Sequence, residues 1–249
     1  MEAFFTTEIL LSFLTLSALE IVLGIDNLIF IALVAENLPQ EYRKKARVLG
    51  LTLALVIRVA MLFGLSWIMQ LTEPLFTVLE MEISGRDLLL LSGGGFLIAK
   101  ATTEMHADIG GVEEKKAMVV KATLSAAIAQ IVIIDFVFSF DSIITAVGLT
   151  DKIGVMVAAV MVAMAVMLLV SEKLSAFLQK YPTFKMLALS FILMIGMLLV
   201  AEGMGVHVPK AYIYFAFGFS MFVETLNTLA SRRRKARKQA QSHESSANS

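Results

Sequence analysis

The chain has 249 residues, 58% of them hydrophobic and 17% charged, with 21 basic side chains against 21 acidic ones and no cysteine. A soluble domain carries about a quarter charged residues, so this composition excludes an ordinary water-soluble globule and points to an all-α polytopic membrane protein. The balanced charge names no partner beyond the bilayer, and the missing cysteines exclude a disulfide framework and a thiolate metal site.

Reading apolar runs against polar breaks predicts seven transmembrane helices, at about residues 7–35, 47–71, 87–103, 121–148, 153–171, 184–201 and 209–230. The first contains "LEIVLGIDNLIF", which sets Glu20 and Asp26 inside the run. It is not a cleavable signal peptide, because no Lys or Arg precedes it and no small-residue cleavage site follows a short apolar core. The break "ENLPQEYRKKAR" leads to the second run, which holds Arg58. After "TEPLFTVLEMEISGR", the third run holds "SGGGFL" at 92–97. That is no phosphate loop, since no lysine follows at the required place; three glycines in a span favour close helix packing.

The loop "EMHADIGGVEEKK" sets His106 between Glu104 and Asp108, and reads as a solvated cytoplasmic segment. The fourth run carries Asp135, Asp141 and Ser142. On the fifth, Met161, Met164 and Met167 invite a copper reading, but no Cys or His accompanies them and apolar packing is the better account. The seventh run places Glu224 and Asn227 three residues apart, on one helix face. An interhelical hydrogen bond and a part in an ion path fit that pair equally well. Residues 232–249, "RRRKARKQAQSHESSANS" after Ser231, read as a disordered cytoplasmic tail whose basic cluster serves topology and anionic headgroups, with no nucleic-acid partner.

Lys and Arg fix the orientation. Apart from Arg58 inside a span and Arg86, Lys152 and Lys210 on the opposite side, every basic residue lies in the first, third or fifth loop or in the tail. The amino terminus is therefore expected outside and the carboxyl terminus in the cytoplasm.

"EIVLGIDNLI" (20–29) and "DFVFSFDSII" (135–144) repeat one pattern at an offset of 115 residues. Glu20 maps to Asp135, Asp26 to Asp141 and Asn27 to Ser142. With three spans per copy, the two copies run in opposite directions, an inverted-topology arrangement recurrent in secondary transporters. This predicts a 3+3 repeat, about 7–103 and 121–201, plus one extra C-terminal helix, all within a transmembrane domain of residues 1–231. A weaker echo, "GFLIAKATTEMH" against "GMLLVAEGMGVH", closes the two copies. Six residues on a straight helix turn through about 240° and rise about 9 Å, so the two acids of one copy share a face only if the helix breaks. Gly24 offers a break in the first copy, where the second has Ser139. The expectation is a ladder of carboxylates across the bilayer, with Glu20 and Asp135 central, Asp26 toward the cytoplasm and Asp141 toward the outside.

An acid at mid-span costs roughly 2.5–3.5 kcal/mol, and intramembrane ionisable residues are functional candidates by default. Arg58 alone faces Glu20, Asp26, Asp135, Asp141 and Glu224 within the spans; it is expected to pair with one of them. Cations or protons must balance the others. Carboxylates with amide and hydroxyl oxygens and no thiolate suit a hard divalent ion such as Mn²⁺, Mg²⁺ or Ca²⁺, with proton coupling as companion. An intramembrane aspartyl protease also needs two buried Asp residues, but "GIDN" and "SFDS" differ from the Tyr-Asp and Gly-x-Gly-Asp pair of those enzymes. The chain is expected not to be an enzyme and to need no organic cofactor; a homo-oligomer is compatible with the pattern.

"EIVLGIDNLIFIALV" with "RKKARVLGLTLALVIRVAML", then "DFVFSFDSIITAVGLT" and "FVETLN", resemble the TerC family of integral membrane proteins, over about residues 6–233. That family is associated with metal-ion homeostasis, manganese export in particular, and historically with tellurite resistance, and is grouped with LysE-type exporters. The resemblance implies export of divalent metal across the bacterial inner membrane, with Asp26, Asn27, Asp141 and Ser142, together with Glu20 and Asp135, as metal ligands. The chain looks closest to short members without appended domains. Two alternatives stay open: export of a small cationic metabolite, which the LysE kinship permits, and a membrane scaffold that helps exported proteins acquire metal.

Overall fold

In a computed structural model of the protein, residues 7–78, 81–110, 123–150 and 152–247 are described. They form nine helices and one β-hairpin. Helices dominate because a chain in hydrocarbon must satisfy its backbone groups within each segment. The first apolar run is two helices, α1 (Thr7–Leu23) and α2 (Ile25–Glu36), bent by 40° across Gly24. The Gly24 N–H still reaches the Glu20 carbonyl at 2.9 Å, and its own carbonyl accepts from Leu28 at 2.9 Å. A Cβ at Gly24 would stand 2.8 Å from the Met167 Sδ and 2.9 Å from the Glu20 carbonyl oxygen. Only glycine fits so close an approach. The break thus falls at the glycine between the two acids of the first motif copy.

Helix α3 (Gln40–Phe63) starts directly after Pro39, whose fixed φ suits a helix entrance. It stops at Gly64, so the end of the expected second span is a separate short helix, α4 (Leu65–Gln70). Strands β1 (Pro74–Val78) and β2 (Met81–Ser84) pair antiparallel, with Phe76 opposite Ile83 and Thr77 opposite Glu82. The sequence reading took this stretch as a plain polar break. Helix α5 (Gly85–Gly110) carries His106 and Asp108 in its last turns, so these residues stand on a helix and not in a loop. Then follow α6 (Leu124–Val147), capped by the Thr123 hydroxyl accepting from the Ala126 N–H at 3.3 Å, α7 (Ile153–Lys180), α8 (Pro182–Gly203) and α9 (Lys210–Ala247). Unlike α1–α2, α6 runs unbroken through its copy of the motif. Helix α9 continues past the apolar run into the basic stretch, whose Arg, Lys, Ala and Gln are good helix formers even without an apolar face.

Five helices are long and apolar enough to cross a membrane by themselves: α3, α6, α7, α8 and α9 as far as Ser231. The bent α1–α2 pair adds a sixth span if it counts as one. The third expected span, α5, falls outside this group: its run is diluted by Gly93, Gly94 and Gly95 and ends at Lys100 and Glu104. An all-α polytopic membrane protein is therefore the architecture, with five or six such spans among the described residues.

Helix α2 is the centre of the molecule. Every residue from Asp26 to Ala35 is buried, and α3, α6, α7 and α8 surround it. The most extensive packing joins α5 to α8. These two run antiparallel, because Asp87 lies against Gly203, Gly94 against Gly196 and Asp108 against Lys185. Helix α3 lies along α6 in the same direction, with Gly50 against Ile131 and Arg58 against Asp135. Helix α7 crosses the break, packing on both α1 and α2. Helix α9 is peripheral and leans on α8 through Phe217 stacked on Phe191 at 4.1 Å.

Candidate functional site

Three buried charges meet where α1, α3 and α6 converge. Glu20 and Arg58 are each 2% exposed and Asp135 is 1% exposed. Arg58 Nη1 donates to Glu20 Oε2 at 2.8 Å, while its Nη2 and Nε donate to the two oxygens of Asp135 at 2.7 and 3.0 Å. The second contact is the bidentate fork that makes Arg–carboxylate pairs strong and directional. Arg58 thus holds two acids, one from each motif copy, where the sequence reading assigned it one. Asp135 accepts two further bonds, from Asn27 Nδ2 at 3.2 Å and from Ser139 Oγ at 3.1 Å. The Ser139 hydroxyl also turns back to the Asp135 carbonyl at 2.5 Å, the back-bonding that lets a serine sit inside a helix. Ser142 donates to the Ser139 carbonyl at 3.2 Å and faces the Glu20 carboxylate.

Asp26 and Asn27 stand at the first turn of α2, just past the break. Asp26 is 5% exposed and Asn27 2%. The backbone N–H groups of Asp26 and Asn27 turn to the Asp26 carboxylate, as the positive end of a helix favours. Its Oδ1 nevertheless has no hydrogen-bond partner, and neither has the Asn27 Oδ1. A buried acceptor without a partner costs about 1–3 kcal/mol, so two in adjacent residues are exceptional in a packed interior. The fields of Arg58 and, from the start of α9, Lys210 both reach Asp26. Three carboxylates against two cations leave one negative charge in excess when all are ionised.

Of the residues singled out from sequence, Glu20, Asp135, Asn27 and Arg58 are joined by direct hydrogen bonds, with Ser142 beside them and Asp26 next in the chain to Asn27. The Asp141 side chain lies outside the described residues. Among the described residues, no group of three His, Cys, Asp or Glu side chains is close enough to hold a metal; any ion here would take amide, hydroxyl, backbone or water oxygens beside the acids. Glu224 and Asn227 line a separate open pocket with Tyr181, Pro182, Thr183 and Thr228. Of the three methionines, Met164 and Met167 are buried while Met161 is exposed, so they form no thioether triad. Sequence reasoning did not single out Ser17, buried with an unpartnered hydroxyl one turn before Glu20; its i−3 spacing from Glu20 was the available signal.

A second polar cluster ties the end of α2, the end of α5 and the start of α8. Lys185 Nζ lies 3.1 Å from Glu36 Oε2 and 3.2 Å from Asp108 Oδ1. Asn37 donates to Glu104 Oε1, which also pairs with Lys100 at 2.6 Å. Arg43 caps the chain after α2, donating to the Leu38 and Glu36 carbonyls at 2.9 Å each. Lys185→Met leaves two carboxylates facing each other without their cation. The expected result is a loss of about 1–3 kcal/mol, read as a lower thermal unfolding midpoint in detergent and largely restored by adding Glu36→Gln.

Residues 5–239 match the model of the family described as "Integral membrane protein TerC family". Among similar proteins, the UPF0053 inner membrane protein YoaE of Escherichia coli (strain K12) is 51% identical over 233 residues, covering 93% of this chain and 45% of that protein. The UPF0053 inner membrane protein YgdQ of the same strain is 49% identical over 219 residues, 88% of this chain and 92% of YgdQ. A UPF0053 protein of Haemophilus influenzae is 47% identical over 221 residues, 88% of this chain and 93% of that protein. The chain thus spans about half the length of YoaE and nearly all of YgdQ. No solved structure matches.

Proposed function

The chain belongs to the TerC family of integral membrane proteins, and from that premise we propose that it is a transporter of the bacterial inner membrane, not an enzyme, which exports divalent metal ions, Mn²⁺ foremost, in exchange for protons. The observation that carries the reading is the pair of unpartnered oxygens on Asp26 and Asn27, buried at a helix break among three carboxylates and two cations. Discontinuous helices of this kind form substrate sites in transporters, because the freed helix end supplies polar groups at membrane depth. Arg58 holds Glu20 and Asp135 in one frame and balances one of their two charges. Asp26, whose Oδ1 has no hydrogen-bond partner, is the carboxylate that takes either a metal ion or a proton; exclusive occupancy of one carboxylate is what couples the two.

An inverted 3+3 repeat is supported by the packing. Helices α5 and α8, third in each copy, are antiparallel partners. The contact of α1–α2 with α7 has its counterpart in the contact of α6 with α3, as an exchange of the copies requires. In this arrangement, with the amino terminus outside, the Lys185 cluster closes the cytoplasmic end and the β-hairpin lies at the outer end.

Asp26→Asn keeps the side chain's shape and removes its charge, so it tests the reading without emptying the core. In cells lacking other manganese exporters, the native protein should lower cell manganese, measured by elemental analysis. The variant should lose export roughly tenfold or more, a loss common when metal-site groups are altered, while reaching the membrane in equal amount. Equal manganese in the two strains would end the proposal.

A further inference from the structure

Helix α2 has the candidate site at one end and an ion-pair cluster at the other. Asp26 and Asn27 lie in its first turn, Glu36 is its last residue, and Asn37 follows as its cap. Ten residues at 1.5 Å each separate Asp26 from Glu36 by about 15 Å. At its first end, α2 meets α1 through the 40° bend at Gly24. Its last end is held by side chains of two other helices. Lys185 of α8 reaches Glu36 Oε2 at 3.1 Å and Asp108 Oδ1 of α5 at 3.2 Å, and Asn37 donates to Glu104 of α5.

The charges of this cluster stand at the unfavourable ends of their helices. A helix stabilises anions at its amino end and cations at its carboxyl end. Glu36 closes α2 and Asp108 lies in the last turn of α5. Lys185 lies in the first turn of α8, where its backbone N–H donates to the Tyr181 carbonyl at 3.1 Å. Each charge is therefore opposed by its own helix end and stabilised by side chains of the other helices. Local helix preference does not account for these residues; their meeting does.

Exposure separates this cluster from the Arg58 triad. The three side chains of the triad are each 3% exposed or less, so water cannot take the place of a partner there. Lys185 and Asp108 are 6% and 7% exposed, but Glu36, which ties α2 to them, is 20% exposed. An ion pair with one side open to water can exchange its partner for solvent at modest cost, whereas a fully buried one cannot.

We propose that the Lys185 cluster is a releasable latch: it holds the carboxyl end of α2 against α5 and α8, and its parting lets α2 swing about Gly24 and opens the candidate site to the cytoplasm. The inference rests on the transport reading and its orientation, and deepens that reading by naming the element that controls access to the site. A short helix with a glycine hinge at one end and a polar clasp at the other is a lever that moves as one body. The Arg58 triad keeps α1, α3 and α6 together while α2 moves.

The chain has no cysteine, so one introduced thiol reports on one place. Ala32 lies one turn before Glu36 on the same face of α2, and Ala159 lies near the start of α7; each is 1% exposed. Full-length Ala32→Cys and Ala159→Cys proteins in sealed vesicles would be treated from each face with a charged, membrane-impermeant maleimide. With the latch intact, both thiols should react slowly. Adding Lys185→Met together with Glu36→Gln, the combination expected to keep most of the stability, should speed labelling of Ala32→Cys several-fold from the cytoplasmic face and leave Ala159→Cys unchanged. An unchanged rate at Ala32→Cys, or faster labelling from the outer face, would overturn the latch. Equal gains at both thiols would also overturn it, by showing a general loosening of the fold. If the native protein moves no manganese, the transport reading falls, while the labelling still decides the latch.

Discussion

Arg58→Met should lower the stability of the folded protein by about 3–5 kcal/mol, the cost of leaving a buried charge without its partner. The guanidinium makes three hydrogen bonds to Glu20 and Asp135, and all three side chains are almost completely buried. Water cannot replace the lost donors at that depth, so the two acids must take up protons or pull the helices apart. The triad fastens α1, α3 and α6, and the loosening should therefore spread to the α1–α2 break. Arg58→Lys restores a charge but not the fork, since an ammonium cannot span both oxygens of Asp135 and still reach Glu20; it should recover part of the loss. The triple change Arg58→Met, Glu20→Gln, Asp135→Asn removes every charge together and should be more stable than Arg58→Met alone, because a neutralised site carries no unpaired ion. Thermal unfolding midpoints in one detergent read all three. An Arg58→Met protein as stable as the native chain would show that the triad holds nothing together.

The sequence made the acids legible because the bilayer makes them conspicuous. A carboxylate inside a run such as "LEIVLGIDNLIF" is costly enough to stand out, and repetition at a constant offset pairs Glu20 with Asp135 before any coordinates are seen. The break at Gly24 was legible for a similar reason: six residues cannot bring two acids to one face of a straight helix. That Arg58 pairs with an acid was legible too, but that it holds two was not. Which acids it reaches depends on α3 lying parallel to α6 with Gly50 against Ile131, and no periodicity within either helix encodes that rotation. The cluster at Lys185 was hidden more completely. Its members, Glu36, Asn37, Glu104, Asp108 and Lys185, lie on three segments far apart in sequence, and each alone reads as an ordinary polar residue near a loop. The hairpin was missed because the acids in "TEPLFTVLEMEISGR" suggested a polar break, whereas Phe76, Val78, Met81 and Ile83 stand on a two-stranded ladder. Where function puts an unusual residue in an apolar segment, the chain announces it; where function depends on which segments meet, only the packing reveals it.

The sharpest test of that packing sets two adjacent glycines against each other. A Cβ at Gly94 would stand 2.6 Å from the Gly196 carbonyl oxygen and 2.9 Å from the Val200 amide nitrogen, both backbone atoms of α8. A Cβ at Gly95, one residue on, would meet nothing within 4 Å. Alanine inside a helix gains up to about 1 kcal/mol over glycine, and at Gly95 nothing opposes the gain, so Gly95→Ala should be neutral or slightly stabilising. At Gly94 the same gain is set against forced separation of two helix backbones, and overpacking of this kind costs about 1–3 kcal/mol even where side chains can move aside. Here the obstruction is backbone, so the cost wins. Gly94→Ala should lower the midpoint, and Gly94→Val should lower it further, by about 3 kcal/mol or more in stability, because its branched carbons have no room at the closest point of the largest helix–helix interface. The two helices carry opposite ends of the molecule, Arg86 near Glu202 at 4.0 Å and Lys185 at Asp108, so prising them apart at the middle strains the ion pairs at both ends. Opposite signs for alanine at Gly94 and at Gly95 would establish the contact; a destabilised Gly95→Ala with an unaffected Gly94→Ala would mean that α5 presents a different face to α8.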